Sequence, residues 1–499
     1  MSISFANGVD ARSAARGLVP LCAGAGVYLF FLLAGDGLLG DSDSFWHIKI
    51  GQWIIDRRAV PYSDFYSLTK FGESWVSTSW LSQVLYAAPY SSLGWAGPVI
   101  MASLAIAVTA AIFIHLLNVH FETARSVLLA ILALVLSMHH LLARPHILAL
   151  PVMVAWVGAL MAAADRRTYP SWLLLPLIAL WSNLHGGFVL GLALIAPIAL
   201  EALWSEQPER RVALAARWAV FAIGALAASC CTPYGWNTLF GAARILDLGE
   251  LLSLISEWAP ANFSSFGFFE AALLGLIALA FSAGIVVSLP RVVLVLGLTW
   301  MALTHVRNIE AFAFLVPLVL AKPLAGRWKL TQATVRGEIR SAPYVTVFAS
   351  LTIVAAAWTS TSVYVTHHHF AFTATQTPAA AVDLLEQRQV QRIFNSYQFG
   401  GYLIARDIKP FIDGRAELYG EKFVMNFFHA VEGRKVDDLL RMLEDFRIEA
   451  TLLAANSPAA QVLNHVQGWK RLYADEIAVV HVRTDQPLPN AVRAPEASR

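Results

Sequence analysis

The stretch Asp41-Ser42-Asp43-Ser44-Phe45-Trp46-His47 opens a segment, 41 to 93, that stands between two long apolar runs and decides how the rest of the chain is read. The segment continues through Gly51-Gln52-Trp53, Pro61-Tyr62-Ser63-Asp64 and Trp75 to Trp80, and the next apolar run starts at Gly94. Two carboxylates at the mouth of a membrane helix are costly unless something uses them. The residues that follow are rich in Trp and Tyr, which favour the headgroup boundary. Phe45, Trp46, Ile48, Trp53 and Ile54 are expected to form the buried side of a helix lying in that boundary. The segment reads as an acidic centre held at a membrane surface.

Composition supports this setting. Of 499 residues, 57% are hydrophobic and only 14% charged, and the mean hydropathy is +0.57, values that belong to a polytopic membrane protein and not to a soluble one. A net charge of +2 gives no argument for nucleic acid as a partner; membrane lipids are the expected surroundings. Cys22, Cys230 and Cys231 lie in or beside apolar runs and imply no disulfide framework. Residues 1–16 carry Arg12 and Arg16, and the apolar run behind them is too long for a cleaved leader. It reads as a retained anchor after a cytoplasmic amino terminus.

A membrane-spanning helix needs about 20 largely apolar residues. By that rule the candidates lie near 17–40, 94–117, 124–140, 147–164, 171–184, 187–204, 212–230, 267–285, 290–303, 309–321 and 343–364, about eleven spans within a membrane domain of 17–364. With the amino terminus in the cytoplasm, that side receives Arg12, Arg16, Arg125, Arg166, Arg167, Arg210, Arg211, Arg217, Arg291, Lys322, Arg327, Lys329, Arg336 and Arg340. The short loops of the opposite side keep Arg144, Arg244 and Arg307. Short cytoplasmic loops are enriched in Lys and Arg, so the asymmetry puts the 41–93 loop and the carboxyl-terminal region on the same outer side. Residues 365–483 have the composition of a small α/β domain. Helices are expected at 379–388 and 435–446, and strands at 392–395, 411–413, 449–453 and 477–482. Residues 484–499, with Pro487, Pro489 and Pro495, read as a disordered tail.

The outer arginines stand beside other polar groups at helix ends: Arg144-Pro145-His146, the region of Arg244 with Glu257-Trp258, and His305-Val306-Arg307-Asn308. Asn183-Leu184-His185-Gly186-Gly187 has the same placement. Guanidinium and imidazole groups suit a phosphate, since Arg offers a planar fork of donors; snorkelling to lipid headgroups is the plainer alternative. Asn183 and His185 are equally suited to packing where two short helices turn. Asp41 and Asp43, spaced as D-x-D, can share a divalent cation such as Mg or Mn or leave one carboxylate to act as a base; the plainer reading is a pair of turn residues. His47, four residues beyond Asp43, falls on the same helical face. Asp64 is a further supporting candidate in this loop. In the outer domain, Asn395 to Tyr402 and Phe411-Ile412-Asp413-Gly414-Arg415 read as turn-rich strand ends, with Asp413 and Arg415 expected to pair structurally. Walker A, zinc-type Cys/His and nucleophile-elbow patterns are missing from the sequence.

An acidic pair ending the first span, an amphipathic outer loop, about eleven spans and a soluble outer carboxyl-terminal domain together resemble the GT-C membrane glycosyltransferases, such as protein O-mannosyltransferases and aminoarabinose transferases. The resemblance in architecture covers most of 17–364, and the motif match is Asp41-Ser42-Asp43. No W-W-D-Y-G stands in the outer domain, which disfavours oligosaccharyltransferase. The resemblance implies a polyprenyl-phosphate-linked sugar donor and a lipid, glycan or protein acceptor, at the periplasmic face of a bacterial inner membrane. Asp41 or Asp43 would then serve as general base, Arg144, His146 and Arg307 would hold the donor phosphate, and His47, Asp64, His185, Glu257 and His305 would give support. A transporter or flippase of a lipid-linked anion is the alternative, with the same Arg and His residues holding phosphate.

The topology has a direct test: a cysteine placed at Asn426 is expected to react with an impermeant reagent added to intact cells. Reaction only after permeabilisation would reverse the orientation.

Overall fold

The computed structural model describes residues 6–246, 249, 256–282, 284–327, 343–372 and 377–484. The expected tail beyond 484, and Lys329, Arg336 and Arg340 of the basic side, lie outside these residues. The chain divides into two compact units. One comprises Met1–Leu38, Gly94–Ala242 and Leu252–Phe370; the other comprises Leu39–Leu93, Ala243–Leu251 and Ala371–Arg499.

The first unit is helical. Six of its helices are long and apolar enough to cross a membrane: Ala96–Leu117, Thr123–His140, Pro145–Asp165, Pro208–Ser229, Val306–Arg327 and Thr346–His367. Five shorter apolar helices, Leu18–Leu33, Trp172–Leu184, Phe188–Trp204, Phe268–Ser282 and Leu289–Thr304, fall on the remaining candidate spans. The expected count of eleven is therefore not reached by length among the described residues. Turn chemistry explains part of the shortening. His185, in extended backbone, ends the Leu175–Leu184 helix, and a turn through Gly186 and Gly187 follows it. Pro145 and Pro208 stand in the first turns of long helices, where a missing N–H costs nothing.

Arg291 corrects the charge count above. It does not face a loop: it is 3% exposed inside the Leu289–Thr304 helix, where it pairs with Asp165 and donates from Nε to Glu201 (2.8 Å) and from Nη1 to the Val319 carbonyl (2.7 Å). A buried guanidinium needs such partners, because leaving it unpaired is strongly destabilising. Its charge is spent on holding four helices together.

The second unit carries a four-stranded sheet, β1 (Ile393–Asn395), β2 (Ala450–Ala454), β3 (Trp469–Ala474) and β4 (Ala478–Arg483), in the order β1-β2-β4-β3. β1 runs parallel to β2, and the other pairs are antiparallel. The expected strands at 392–395, 449–453 and 477–482 are present, as are the helices Ala379–Gln387 and Val436–Asp445. Residues 411–413 are no strand; Pro410 makes one bridge to Ile393. In the Asn395–Tyr402 stretch, β1 ends at Asn395 and a helical turn, Tyr397–Phe399, leads into the Gly400–Ala405 helix. β3 escaped the sequence reading because its residues are half-exposed or exposed at the sheet edge and carry no apolar alternation.

The Asp43–Arg57 helix belongs to this unit, packed on Trp80–Leu93 and on Gly400–Ala405. Phe45, Trp46, Ile48 and Ile54 are buried and Trp53 half-buried. Their cover is protein and not the headgroup boundary: Phe45 stacks on Phe372 at 4.1 Å and meets Tyr402 edge-on at 5.3 Å.

What joins the loop to the domain is a buried ion cluster. Arg415 donates from Nη1 to Asp64 (2.6 Å), and from Nε and Nη2 to the two oxygens of Asp413 (2.8 and 2.7 Å); all three side chains are fully buried. Tyr419 adds a hydroxyl to Asp413 (2.7 Å), and Ser67 donates its N–H and hydroxyl to Asp64. Burial alone would push the Asp413 carboxyl up; the Arg415 guanidinium and the hydrogen bonds from Arg415 and Tyr419 outweigh it and hold the group below its ordinary value. Burial pushes Glu417 the other way, upward, against the Trp75 indole N–H that it accepts at 3.1 Å.

Removing Arg415 strands two buried carboxylates, so Arg415→Met is expected to cost about 3–5 kcal/mol, read as a lowered unfolding temperature in detergent; unchanged unfolding would show that the cluster is not what holds the unit. Because the folded value of Asp413 is depressed, its contribution is present above the unfolded value of about 3.9 and fades as pH falls through the folded value. Glu417 has the opposite sign: its contribution is fully present below the ordinary carboxylate value and fades as pH rises through its raised one. In Asp413→Asn the acid-induced loss of stability should be smaller than in wild type.

Candidate active site

Four segments far apart in sequence supply one polar cluster in the helical unit. Arg144, in extended backbone ahead of Pro145, forms an ion pair with Glu257. His146 directs Nε2 at the His140 carbonyl (2.8 Å) and lies 3.8 Å from Glu310; its ring centre is 6.1 Å from that of His185. His305 Nδ1 meets the Trp258 carbonyl at 2.7 Å, and Arg307 stacks over the Trp258 ring at 4.3 Å. The charges of Arg144 and Arg307 are both felt at His140, His146 and His185.

Backbone pairing explains the convergence. Val306 donates to the Ala259 carbonyl and Ala261 to that of Leu303, both at 3.0 Å, so the Ser256–Trp258 turn is tied to the end of the Leu289–Thr304 helix. Between the spans at 212–230 and 267–285 the chain forms this turn and the Asn237–Leu246 helix. Asn183 is taken up structurally, its amide donating to the Ala179 and Cys231 carbonyls. His185 Nδ1 accepts the Gly187 N–H at 3.1 Å.

Arg307 is half-buried and, among the described residues, forms no hydrogen bond or ion pair; its guanidinium lies over the Trp258 ring and within the field of the Glu310 carboxylate. Glu310, 8% exposed, leaves Oε2 without a hydrogen-bond partner among the described residues. Glu310 went unnoticed in the sequence; an acidic residue three positions beyond Arg307, in the first turn of an apolar helix, was the available signal.

The acidic pair belongs to the other unit. Asp41 Oδ1 accepts the backbone N–H of Asp43 at 2.7 Å, an Asx turn that opens the Asp43–Arg57 helix. The spacing of the motif thus has a structural use for Asp41. Asp43 Oδ1 accepts the indole N–H of Trp46 at 3.0 Å. His47 is buried, stacked on Trp46, with Nδ1 3.2 Å from Gln83 Nε2. Asp64 lies in the ion cluster with Arg415. Among the described residues no group of three or more His, Cys, Asp or Glu side chains is arranged to hold a metal ion. Mg is commonly held by one or two carboxylates together with waters and substrate phosphate oxygens, and Asp41 and Asp43 offer two such carboxylates, each also accepting one N–H.

No family model matches the chain, and no curated protein does. Among solved structures it is similar to the archaeal oligosaccharyltransferase AglB from Archaeoglobus fulgidus in complex with an inhibitory peptide and a dolichol-phosphate, at 11% identity and a TM-score of 0.49, covering 87% of this chain and 69% of that one. The apo form of the Archaeoglobus fulgidus enzyme gives 11% and 0.48 over 88% and 70%. A form tethered to an acceptor peptide containing the NVT sequon gives 12% and 0.47 over 87% and 69%.

The Arg144–Glu257 pair is largely shielded, so Glu257→Gln, which keeps the shape and removes the charge, is expected to lower stability by about 1–3 kcal/mol. Thermal unfolding measures it; an unchanged midpoint would mean that the turn is held by its backbone bonds alone.

Proposed function

We propose that the chain is a membrane glycosyltransferase that moves a sugar from a polyprenyl-phosphate donor to a lipid, glycan or protein acceptor at the periplasmic face of a bacterial inner membrane. The observation that carries this reading is the cluster of Arg144, His146, His185 and Arg307 in a largely apolar helical unit, with the Arg307 guanidinium hydrogen-bonded to no described residue. Cationic groups in such surroundings are retained where an anion must be held, and a lipid phosphate is the anion that reaches a membrane interior.

The chemistry divides into two tasks. Asp43, or less favourably Asp41, takes the proton from an acceptor hydroxyl as its oxygen attacks the anomeric carbon. The bond from that carbon to the phosphate oxygen breaks, and the lipid phosphate departs with its negative charge. Arg144, His146 and Arg307 stabilise that charge as it develops. Asp43 is preferred because Asp41 is committed to the turn, while Asp43 is oriented by an indole N–H. Asp64 has a structural task, and His185, Glu257 and His305 position the cationic groups.

Both tasks are testable. Arg144→Lys and Arg307→Lys lose the planar fork, and each is expected to weaken binding of undecaprenyl phosphate; unchanged affinity in both would remove the phosphate role. Loss of a general base typically lowers rate by about 10² to 10⁴, so Asp43→Asn should lose transfer by that factor while still folding, inserting and binding undecaprenyl phosphate. Wild-type turnover in the Asp41→Asn, Asp43→Asn double variant would leave transport of a lipid-linked anion as the better account.

A further inference from the structure

The carboxylate of Asp43 touches a turn from the far end of the chain. A Cβ added to Gly414 would lie 1.9 Å from Asp43 Oδ1, 2.7 Å from its Cγ and 3.0 Å from Oδ2, so the bare Cα of Gly414 forms one wall of the space that the carboxylate occupies. Trp46 forms another, with its indole N–H on the same oxygen. Nothing about the backbone demands glycine at 414, which is not among the residues of positive φ. The demand comes from Asp43.

That wall is held by hydrogen bonds on several sides. Gly414 sits between Asp413 and Arg415, whose side chains and backbone close a ring of hydrogen bonds: Arg415 N and Nε to Asp413 Oδ1, and Nη2 to Oδ2. Asn395, fully buried, donates to the Ile412 carbonyl and accepts the Phe411 N–H. Thr69 and Leu68 of the outer loop donate to the carbonyls of Phe411 and Pro410. Behind both walls packs the Gly400–Ala405 helix: a Cβ on Gly400 would lie 2.6 Å from the Cα of Asp413, next to Gly414, and one on Gly401 3.4 Å from Cδ1 of Trp46.

We propose that the Asp413-Gly414-Arg415 turn is a positioning element for Asp43, and that the carboxyl-terminal domain serves the reaction by fixing that carboxylate against Gly414 and Trp46. This rests on the reading of Asp43 as the base. Gly414 and Arg415 act through Asp43 and are positioning residues. A reacting group misplaced by about 1 Å costs on the order of 10² in rate.

The test is a set of single and double variants restored to a deletion strain at matched protein level, with native donor and acceptor. The readout is the glycan product that deletion removes from the cell envelope, quantified by mass spectrometry. Gly414→Ala is expected to lower product formation by about 10² with an unfolding midpoint like wild type, and its density map to show Asp43 in another rotamer. In the Asp43→Asn background it should cause no further loss, as expected of residues acting through one another. Wild-type product from Gly414→Ala, or an unmoved Asp43, overturns the positioning role while leaving the base reading to stand on the Asp43→Asn result. Wild-type product from Asp43→Asn, or no product lost on deletion, overturns the base reading and the positioning role together. If Gly414→Ala fails to fold, Trp46→Phe removes the other wall's N–H, and full product from it decides against the proposal.

Discussion

Arg415 is the interaction on which the outer unit depends. A fully buried guanidinium is tolerable only where its donors are matched, and here they meet Asp413 bidentately and Asp64 singly, with Trp75 at 5.0 Å beneath the charge. Asp413 and Asp64 stand about 350 residues apart in the chain, so one side chain joins a loop that follows the first apolar run to a domain that follows the last. Two carboxylates around one arginine leave a net negative charge inside protein. The hydrogen bonds from Ser67 and Tyr419 offset part of that cost.

Consequences run from that cluster to the acidic pair. Once the turn 413–415 is held by hydrogen bonds, the first turn of the Asp43–Arg57 helix is confined against it, and Gly400, Gly401 and Gly414 supply the close approach that larger residues would forbid. The aromatic face of this helix, suited by composition to a lipid boundary, is covered by protein instead. An amphipathic helix has no means of distinguishing headgroups from a neighbouring domain when both offer an apolar surface.

In the helical unit the polar residues follow a different logic. Arg291 is saturated by Asp165, Glu201 and a carbonyl, which marks it as structural. Arg307 has an aromatic face and the nearby Glu310 carboxylate but no hydrogen bond among the described residues, and Glu310 Oε2 accepts none. In a medium where unmet polar groups are expensive, the difference between a satisfied arginine and an unsatisfied one separates a brace from a candidate binding site.

The sequence by itself determined the membrane character, the positions of the apolar helices, most of the small sheet and the residues worth suspecting, because hydrophobic periodicity, proline placement and the cost of charge near lipid are local properties. It also paired Asp413 with Arg415, which are two residues apart. Only the tertiary structure decided that Asp64 completes that pair, that Arg291 is buried, that Glu310 joins His146 and Arg307, and that Gly414 bounds Asp43. Each of these depends on segments distant in the chain being brought together, and a contact between distant segments leaves no periodic trace in either one. The spacing of Asp41 and Asp43 admitted both a turn and a reactive pair; the backbone N–H donated to Asp41 and the indole N–H donated to Asp43 give the two carboxylates different surroundings.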